Sequence, residues 1–227
     1  MSEASAAIGL TCLEVVSESG VRILGPVTHA FRTGAVVISG PSRSGKTTLL
    51  RAIAGLIPAS KGEVFIEGEP LSRALGDAHA LRRIRSRLGF VFQSDALFDS
   101  MDALNNVMFP LVRRGVSKSE AKTRAAKALD AVGLGGRESA RPGSLSGGMK
   151  KRLGLARAIV ARPPILLADD PLAGLDPGTA SAMVTLMASL RPDGGLLLTA
   201  AANPLPFLAQ GFQHLTLNSG LLAAPDA

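Results

Sequence analysis

The chain has 227 residues, a hydrophobic share of 46%, and 25 lysines and arginines against 18 aspartates and glutamates, for a formal charge of +7. This composition supports a large core and excludes a disordered chain, and the length suits one domain, or one domain with an inserted lobe. Cys12 is the only cysteine, which excludes an intramolecular disulfide and a cysteine-based zinc site and suits a reducing compartment.

In chain order, residues 1–10 carry Glu3 and no basic residue, unlike the charged start of a secretory signal. Apolar runs bounded by Gly or Pro predict strands at residues 10–16, 21–24, 35–39, 62–66, 88–92, 165–168, 195–199 and 214–217. Between them the patterns are helical. Residues 46–56 open directly after a Gly-rich turn. Residues 117–132 start at Ser117 with Glu120 three places on, a capping-box pattern. Residues 147–161 carry Leu153, Leu155, Ala156, Ile159 and Val160, and Pro177 leads a helix over 179–190. The middle of the chain, 94–161, reads as mainly helical, inserted into a strand–helix core, and residues 223–227 are expected to fray. The mean hydropathy is +0.27, yet no run reaches the ~18–20 apolar residues of a membrane helix. The apolar stretch 195–221 is broken by Asn203, Pro204, Pro206, Gln210 and His214. The apolar excess is therefore read as cover for a protein interface.

The basic balance points to an anionic partner, whether nucleotide, nucleic acid or membrane surface. Gly40, Pro41, Ser42, Arg43, Ser44, Gly45, Lys46, Thr47 and Thr48 narrow the choice. They match Gly-x-x-x-x-Gly-Lys-Ser/Thr, between a predicted strand and a predicted helix. Glycines let backbone N–H groups close around phosphate oxygens, and the helix N-terminus adds its dipole. Lys46 would reach the outer phosphates, the Thr47 hydroxyl would ligate Mg²⁺, and Thr48 would add a hydrogen bond. Such a cradle works with an acid ending a hydrophobic strand, and residues 165–171 offer Asp169, a hard oxygen donor for Mg²⁺.

The run Leu145, Ser146, Gly147, Gly148, Met149, Lys150, Lys151, Arg152 precedes this strand and resembles the signature of ATP-binding-cassette (ABC) ATPases. The order cradle, Gln93, signature, Asp169 and Asp176 resembles that family across most of the chain. The resemblance implies an α/β fold, with a P-loop NTPase (RecA-like) core, an antiparallel β subdomain and an inserted helical subdomain. The core would span 1–93 and 162–227 and the helical subdomain about 94–161. It implies ATP and Mg²⁺ as ligands. Ser146, Gly147 and Gly148, at a helix start, would bind the γ-phosphate of the opposite subunit's nucleotide, so two chains close head-to-tail around two ATP molecules. Gln93 resembles the glutamine that contacts Mg²⁺ or the attacking water, and Asp176 the aspartate at the dimer seam. Residues 96–111, with Phe98, Met101, Asn105, Asn106, Val107, Phe109, Pro110 and Leu111, together with Met149, are most similar to Mla/Mce-type phospholipid transport ATPases.

Three positions depart from the family pattern. Asp170 stands where the catalytic glutamate is expected, and a displacement of ~1 Å can cost on the order of 100-fold in rate. After the strand 195–199 the sequence runs Ala200, Ala201, Ala202, Asn203, without the switch histidine. His214 belongs to the next strand, and it, His29 and His79 are read as structural or surface residues. Before the cradle the only aromatic is Phe31, later than an adenine-stacking residue would sit.

The expected function is that of an ATP-binding transporter subunit hydrolysing ATP slowly through Lys46, Gln93 and Asp170. It would move a lipid or another hydrophobic substrate through separate transmembrane permease subunits. It would pair with an identical or different second cassette and lie peripherally at the cytoplasmic face of a bacterial inner membrane, touching it only through the permease. The alternatives are a non-hydrolysing regulatory pseudo-ATPase and one half of an asymmetric heterodimer. Arg82, Arg83, Arg85 and Arg87, and Lys150 to Arg152, raise a nucleic-acid reading, but a solvated helix face or contact with headgroups is the preferred one, and no nucleic acid is expected.

Overall fold

The computed structural model describes residues 6–224. Of the tail expected to fray, Ala223 still pairs with Thr216, and residues 225–227 lie outside the described range. The chain begins with β1 (Ile8–Val16) and β2 (Arg22–Phe31), which pair antiparallel with each other. Later β4 (Lys61–Ile66) joins β1, and β5 (Glu69–Pro70) closes a four-stranded sheet in the order β2-β1-β4-β5.

The second sheet is built from β3 (Gly34–Ser39), β6 (Leu88–Val91), β7 (Ile165–Asp169), β8 (Leu196–Ala200), β9 (Gln213–Asn218) and β10 (Leu221–Ala223). Its order is β10-β9-β3-β8-β7-β6, parallel throughout except for the β10 edge. The central strands are apolar runs without polar alternation, as a sheet covered on both faces requires. Along β7, Ile165 and Leu167 enter the core shared with the first sheet, while Leu166 and Ala168 face the opposite one. In β8, Leu196 and Leu198 take the first core and Leu197 the second. Truncating one of these fully buried leucines to alanine costs about 2–5 kcal/mol.

The helices are α1 (Lys46–Ile53), α2 (Ala78–Arg85), α3 (Ala103–Val112), α4 (Lys118–Ala131), α5 (Gly147–Ile159), α6 (Pro177–Ser189) and α7 (Leu205–Leu208). Between β6 and β7 the chain is helical, as expected, with α3, α4 and α5 sharing the second core. Ser117 caps α4 by accepting from the Glu120 amide at 3.2 Å, and Pro177 occupies the first turn of α6. The sequence reading missed β5, β10, α2 and α7. The two strands have two and three residues, and α2 buries only Ile84, so its apolar period is too thin to register.

Candidate functional site

The parallel strands β3, β7 and β8 deliver their C-terminal ends to one edge of the sheet, where α/β folds bind ligands. There the loop from β3 to α1 wraps a cavity of about 630 Å³ lined by Ser42, Arg43, Ser44, Gly45, Lys46, Thr47 and Thr48, with Gln93, Asp169, Asp170 and Ala200 across from them. Two glycines are required by the backbone. Gly40 has φ 153° and Gly45 φ 103°, and an added Cβ would lie 2.1 Å from the Leu217 carbonyl oxygen at the first and 2.8 Å from the Ile23 carbonyl oxygen at the second. The loop therefore presses directly on β9 and β2.

Lys46 donates its ammonium protons to the carbonyls of Gly40 at 2.7 Å and Pro41 at 2.8 Å. Burial lowers its pKa, and the nearby Asp170 and Asp169 charges oppose that shift. Across the cavity the Thr47 hydroxyl donates to Asp169 Oδ1 at 2.9 Å. Asp169 is 3% exposed, and desolvation raises its pKa against the opposing effects of the Thr47 hydrogen bond and Arg51. A buried carboxylate beside a hydroxyl, both facing a phosphate cradle, is a hard oxygen donor set of the kind Mg²⁺ takes. The two residues fit that ion, and the cradle fits a nucleotide's phosphates.

Asp170, one residue past β7, adopts φ 44°, and its amide donates to the Ala200 carbonyl at 2.8 Å. This turn sends its side chain toward Gln93, whose Nε2 donates to Asp170 Oδ2 at 3.3 Å. Asp169 and Ala200 are register partners on β7 and β8. The methyl group of Ala200 thus occupies the strand end where a histidine was expected. His214 lies on β9 with Nε2 and Ser39 Oγ 2.8 Å apart, outside the cavity lining. His29 stacks on Phe31 edge-on at 4.5 Å, and Phe31 is 2% exposed, so this ring belongs to the core and cannot stack on a base.

The cavity wall beside the cradle is formed by residues the sequence did not reveal: Val21, Arg22 and Ile23 at the start of β2, and Ser219 and Gly220 between β9 and β10. Val21 is 63% exposed and Ile23 36%, so an aliphatic platform flanked by an arginine stands beside the cradle. The Gly220 amide donates to the Ser44 carbonyl, which ties this turn to the cradle. The only local hint was an exposed apolar pair just after the Ser17–Gly20 turn.

Ser146 caps α5 by accepting from the Met149 amide at 3.3 Å, with Gly147 and Gly148 in the first turn. None of the three lines the cavity around Lys46. Asp176 caps α6, accepting from the Thr179 amide at 3.0 Å and its hydroxyl at 2.6 Å, and these bonds lower its pKa. Of the basic runs, Arg83 pairs with Glu69, Arg87 with Glu67 and Glu69, and Arg85 donates to the Gly55 carbonyl. The chain itself engages these three cations. The solvated-face reading fails for Lys151, which is 6% exposed: it lies on the same helix face as the buried Leu155, one turn on.

The sequence matches the ABC transporter family over residues 26–173. The lipoprotein-releasing system ATP-binding protein LolD of Roseobacter denitrificans is 39% identical over 207 residues, covering 90% of this chain and 90% of that protein. The uncharacterized ABC transporter ATP-binding protein YbbA of Escherichia coli is 39% identical over 206 residues, with 90% of each chain covered. Among solved structures, a dimeric post-hydrolysis state of an ATP-binding cassette bound to ADP and phosphate matches with a TM-score of 0.83 and 30% identity, covering 95% of this chain and 96% of that one. These relatives carry lipoprotein-release or general transporter names, and the narrower resemblance to Mla/Mce-type ATPases gains no specific support from them.

Proposed function

The chain belongs to the ABC transporter family, and on that premise we propose that it binds ATP with Mg²⁺ and spends its hydrolysis on a lipid-like or lipid-modified substrate carried by a separate permease. It is an ABC-type ATPase. The observation that supports the reading best is that the cavity around Lys46 also holds the Thr47–Asp169 and Gln93–Asp170 pairs. Lys46 and the loop amides would take the phosphate charge, and Thr47, Asp169 and Gln93 would hold the cation. The cation supplies further neutralisation of phosphate charge. The Asp170 carboxylate orients and polarises the attacking water, with Gln93 steadying it.

Two features make hydrolysis slow. Asp170 is one methylene shorter than glutamate, and Ala200 offers no imidazole. The position of Ser146, Gly147 and Gly148 away from their own cavity supports a head-to-tail pair in which each chain completes the other's site. The matched cassette structure is itself described as dimeric. For the permease, a groove of about 570 Å³ beside α3 supports docking of a membrane-subunit segment, with Met101, Met108, Phe109 and Val112 in its wall. Among the described residues no helix is long and apolar enough to cross a membrane, in keeping with a peripheral subunit at the cytoplasmic face. The lipid reading draws on the names of the lipoprotein-releasing relatives and on residues 96–111.

A second reading is favoured by the pairing of an intact signature with Asp170 and Ala200. In an asymmetric heterodimer, this chain's Ser146–Gly148 turn would complete a partner's competent site. The deciding experiment is ATP turnover by the purified chain beside Lys46→Ala and Asp170→Glu. Turnover that Lys46→Ala abolishes supports a self-sufficient cassette pair. Turnover that appears only with a second cassette supports the asymmetric assembly, and turnover equal to the Lys46→Ala control under both conditions rejects the ATPase reading of this site.

A further inference from the structure

Lys151 stands near the start of α5, just behind the signature, and its side chain is almost wholly enclosed. Its ammonium donates to the main-chain carbonyl of Gln93 and lies 3.1 Å from Asp95 Oδ1. That carboxylate oxygen is itself sealed from solvent, with Lys151 as its charge partner. Further along the same helix, Arg157 donates to the carbonyls of Asp95 at 2.8 Å and Ala96 at 2.7 Å, and its guanidinium lies 5.7 Å from the centre of the Phe98 ring. Asp95 and Ala96 both hold left-handed backbone, φ 61° and 48°, which residues other than glycine keep only when their surroundings enforce it. One helix therefore grips the segment after Gln93 at two points. The side chain of Gln93 meanwhile reaches Asp170 in the nucleotide cavity.

We propose that Lys151 is a positioning residue that couples a chain's own nucleotide cavity to the signature it offers its partner. It fixes the main chain at Gln93, so the amide meets Asp170. Because it stands on α5, any shift of Gln93 carries Ser146, Gly147 and Gly148 with it. The physics favours a charge here over a neutral side chain. A buried ammonium without its carboxylate and carbonyl partners is heavily penalised, so the contact has one well-determined geometry and little slack. The Arg157 grip resists rotation of the same segment. The inference rests on the head-to-tail pairing proposed above.

The test compares the parent with Lys151→Met, Lys151→Arg and the double variant Lys151→Met/Asp95→Asn, which leaves neither member of the Lys151–Asp95 pair as an unpaired charge, with Arg157 still held by the carbonyls of Asp95 and Ala96. Four quantities are measured: melting temperature, ADP affinity of the monomer, ATP-driven dimerisation by sedimentation, and ATP turnover with kcat and KM separated. The double variant is expected to melt near the parent and bind ADP within about twofold, while its dimerisation weakens and its kcat falls by about tenfold each. Lys151→Arg recovers part of both losses. A double variant that dimerises and turns over like the parent overturns the inference while leaving head-to-tail pairing intact. Losses of kcat that merely follow equal losses of melting temperature and ADP affinity also overturn it, because they mark a packing role alone. A parent that does not dimerise with ATP overturns the pairing and the inference together. The dimerisation arm decides even where turnover is too slow to read.

Discussion

Gln93 Nε2 and Asp170 Oδ2 meet at 3.3 Å, although 77 positions separate them in sequence. The amide follows β6 and the carboxylate follows β7, neighbouring parallel strands, so sheet register sets the meeting. The main chain of Asp170 is fixed by its bond to Ala200. On the proposed catalytic reading, Asp170 falls short in reach rather than in aim. Asp170→Glu is expected to raise ATP turnover by about 10- to 100-fold, and Asp170→Asn to extinguish it with ATP affinity retained. Phosphate release and nucleotide binding, measured side by side, check both.

The Thr47–Asp169 pair makes a separate prediction. Asp169→Asn can keep the hydrogen bond to Thr47 but loses the anion proposed to hold the cation. Turnover should fall by about 100-fold or more, as it should on chelation of the parent's Mg²⁺ with EDTA. Nucleotide binding measured without divalent cation should change little.

The exposed Val21 and Ile23 line the cavity beside the cradle, and on the proposed ATP reading they would face adenine where an aromatic would otherwise stack. Val21→Tyr supplies a ring beside Arg22 at an already exposed position. It is expected to tighten ATP binding by roughly 1–3 kcal/mol, with little change in kcat. Calorimetry on the parent and the variant reads this directly.

Asn106 is fully buried in α3 and holds the preceding loop in place. Its Oδ1 accepts from the Phe98 amide, and its Nδ2 donates to the carbonyls of Phe98 and Met101. Asn106→Ala strands these groups and should cost about 2–4 kcal/mol. The melting temperature should drop by roughly 4–16 °C. ADP affinity should stay near the parent's, because the cradle lies on other elements.

Asp176 carries the pH dependence that is easiest to isolate. Its Thr179 hydrogen bonds hold its pKa below the ordinary value of 3.8. The ionised form is favoured in the fold, so this contribution is complete above the ordinary value and is lost as pH falls through the lowered one. Asp176→Asn keeps a capping oxygen but no charge. The melting-temperature gap between parent and variant, open at neutral pH, should close in acid.

The sequence shows the cradle, the strand ending in Asp169 and the cap at Ser146 because each is written in adjacent residues. Gly40, Gly45, Lys46 and Thr47 all lie within one short stretch, residues 40–47, and local backbone rules decide their geometry. The Val21–Ile23 wall is different. Val21 and Ile23 reach the cradle only because β2 runs past Gly45 and the Ser219–Gly220 turn, and no short window holds that approach. Phe31, the aromatic available by composition, is drawn into the core between the sheets. Lys151 was misread because a run of basic residues suggests solvent. Its position one turn before Leu155 was the signal that it faces inward.

The separation of Ser146–Gly148 from Lys46 within one chain has a genetic consequence. If each composite site borrows its signature from the other protomer, a lesion at Lys46 in one chain and a lesion at Ser146 in its partner fall on the same site of the mixed pair. Their combination leaves one site wholly defective and the other wholly wild-type. Two alleles that are each null alone would then complement when co-expressed, and a single gene product would behave as two cistrons.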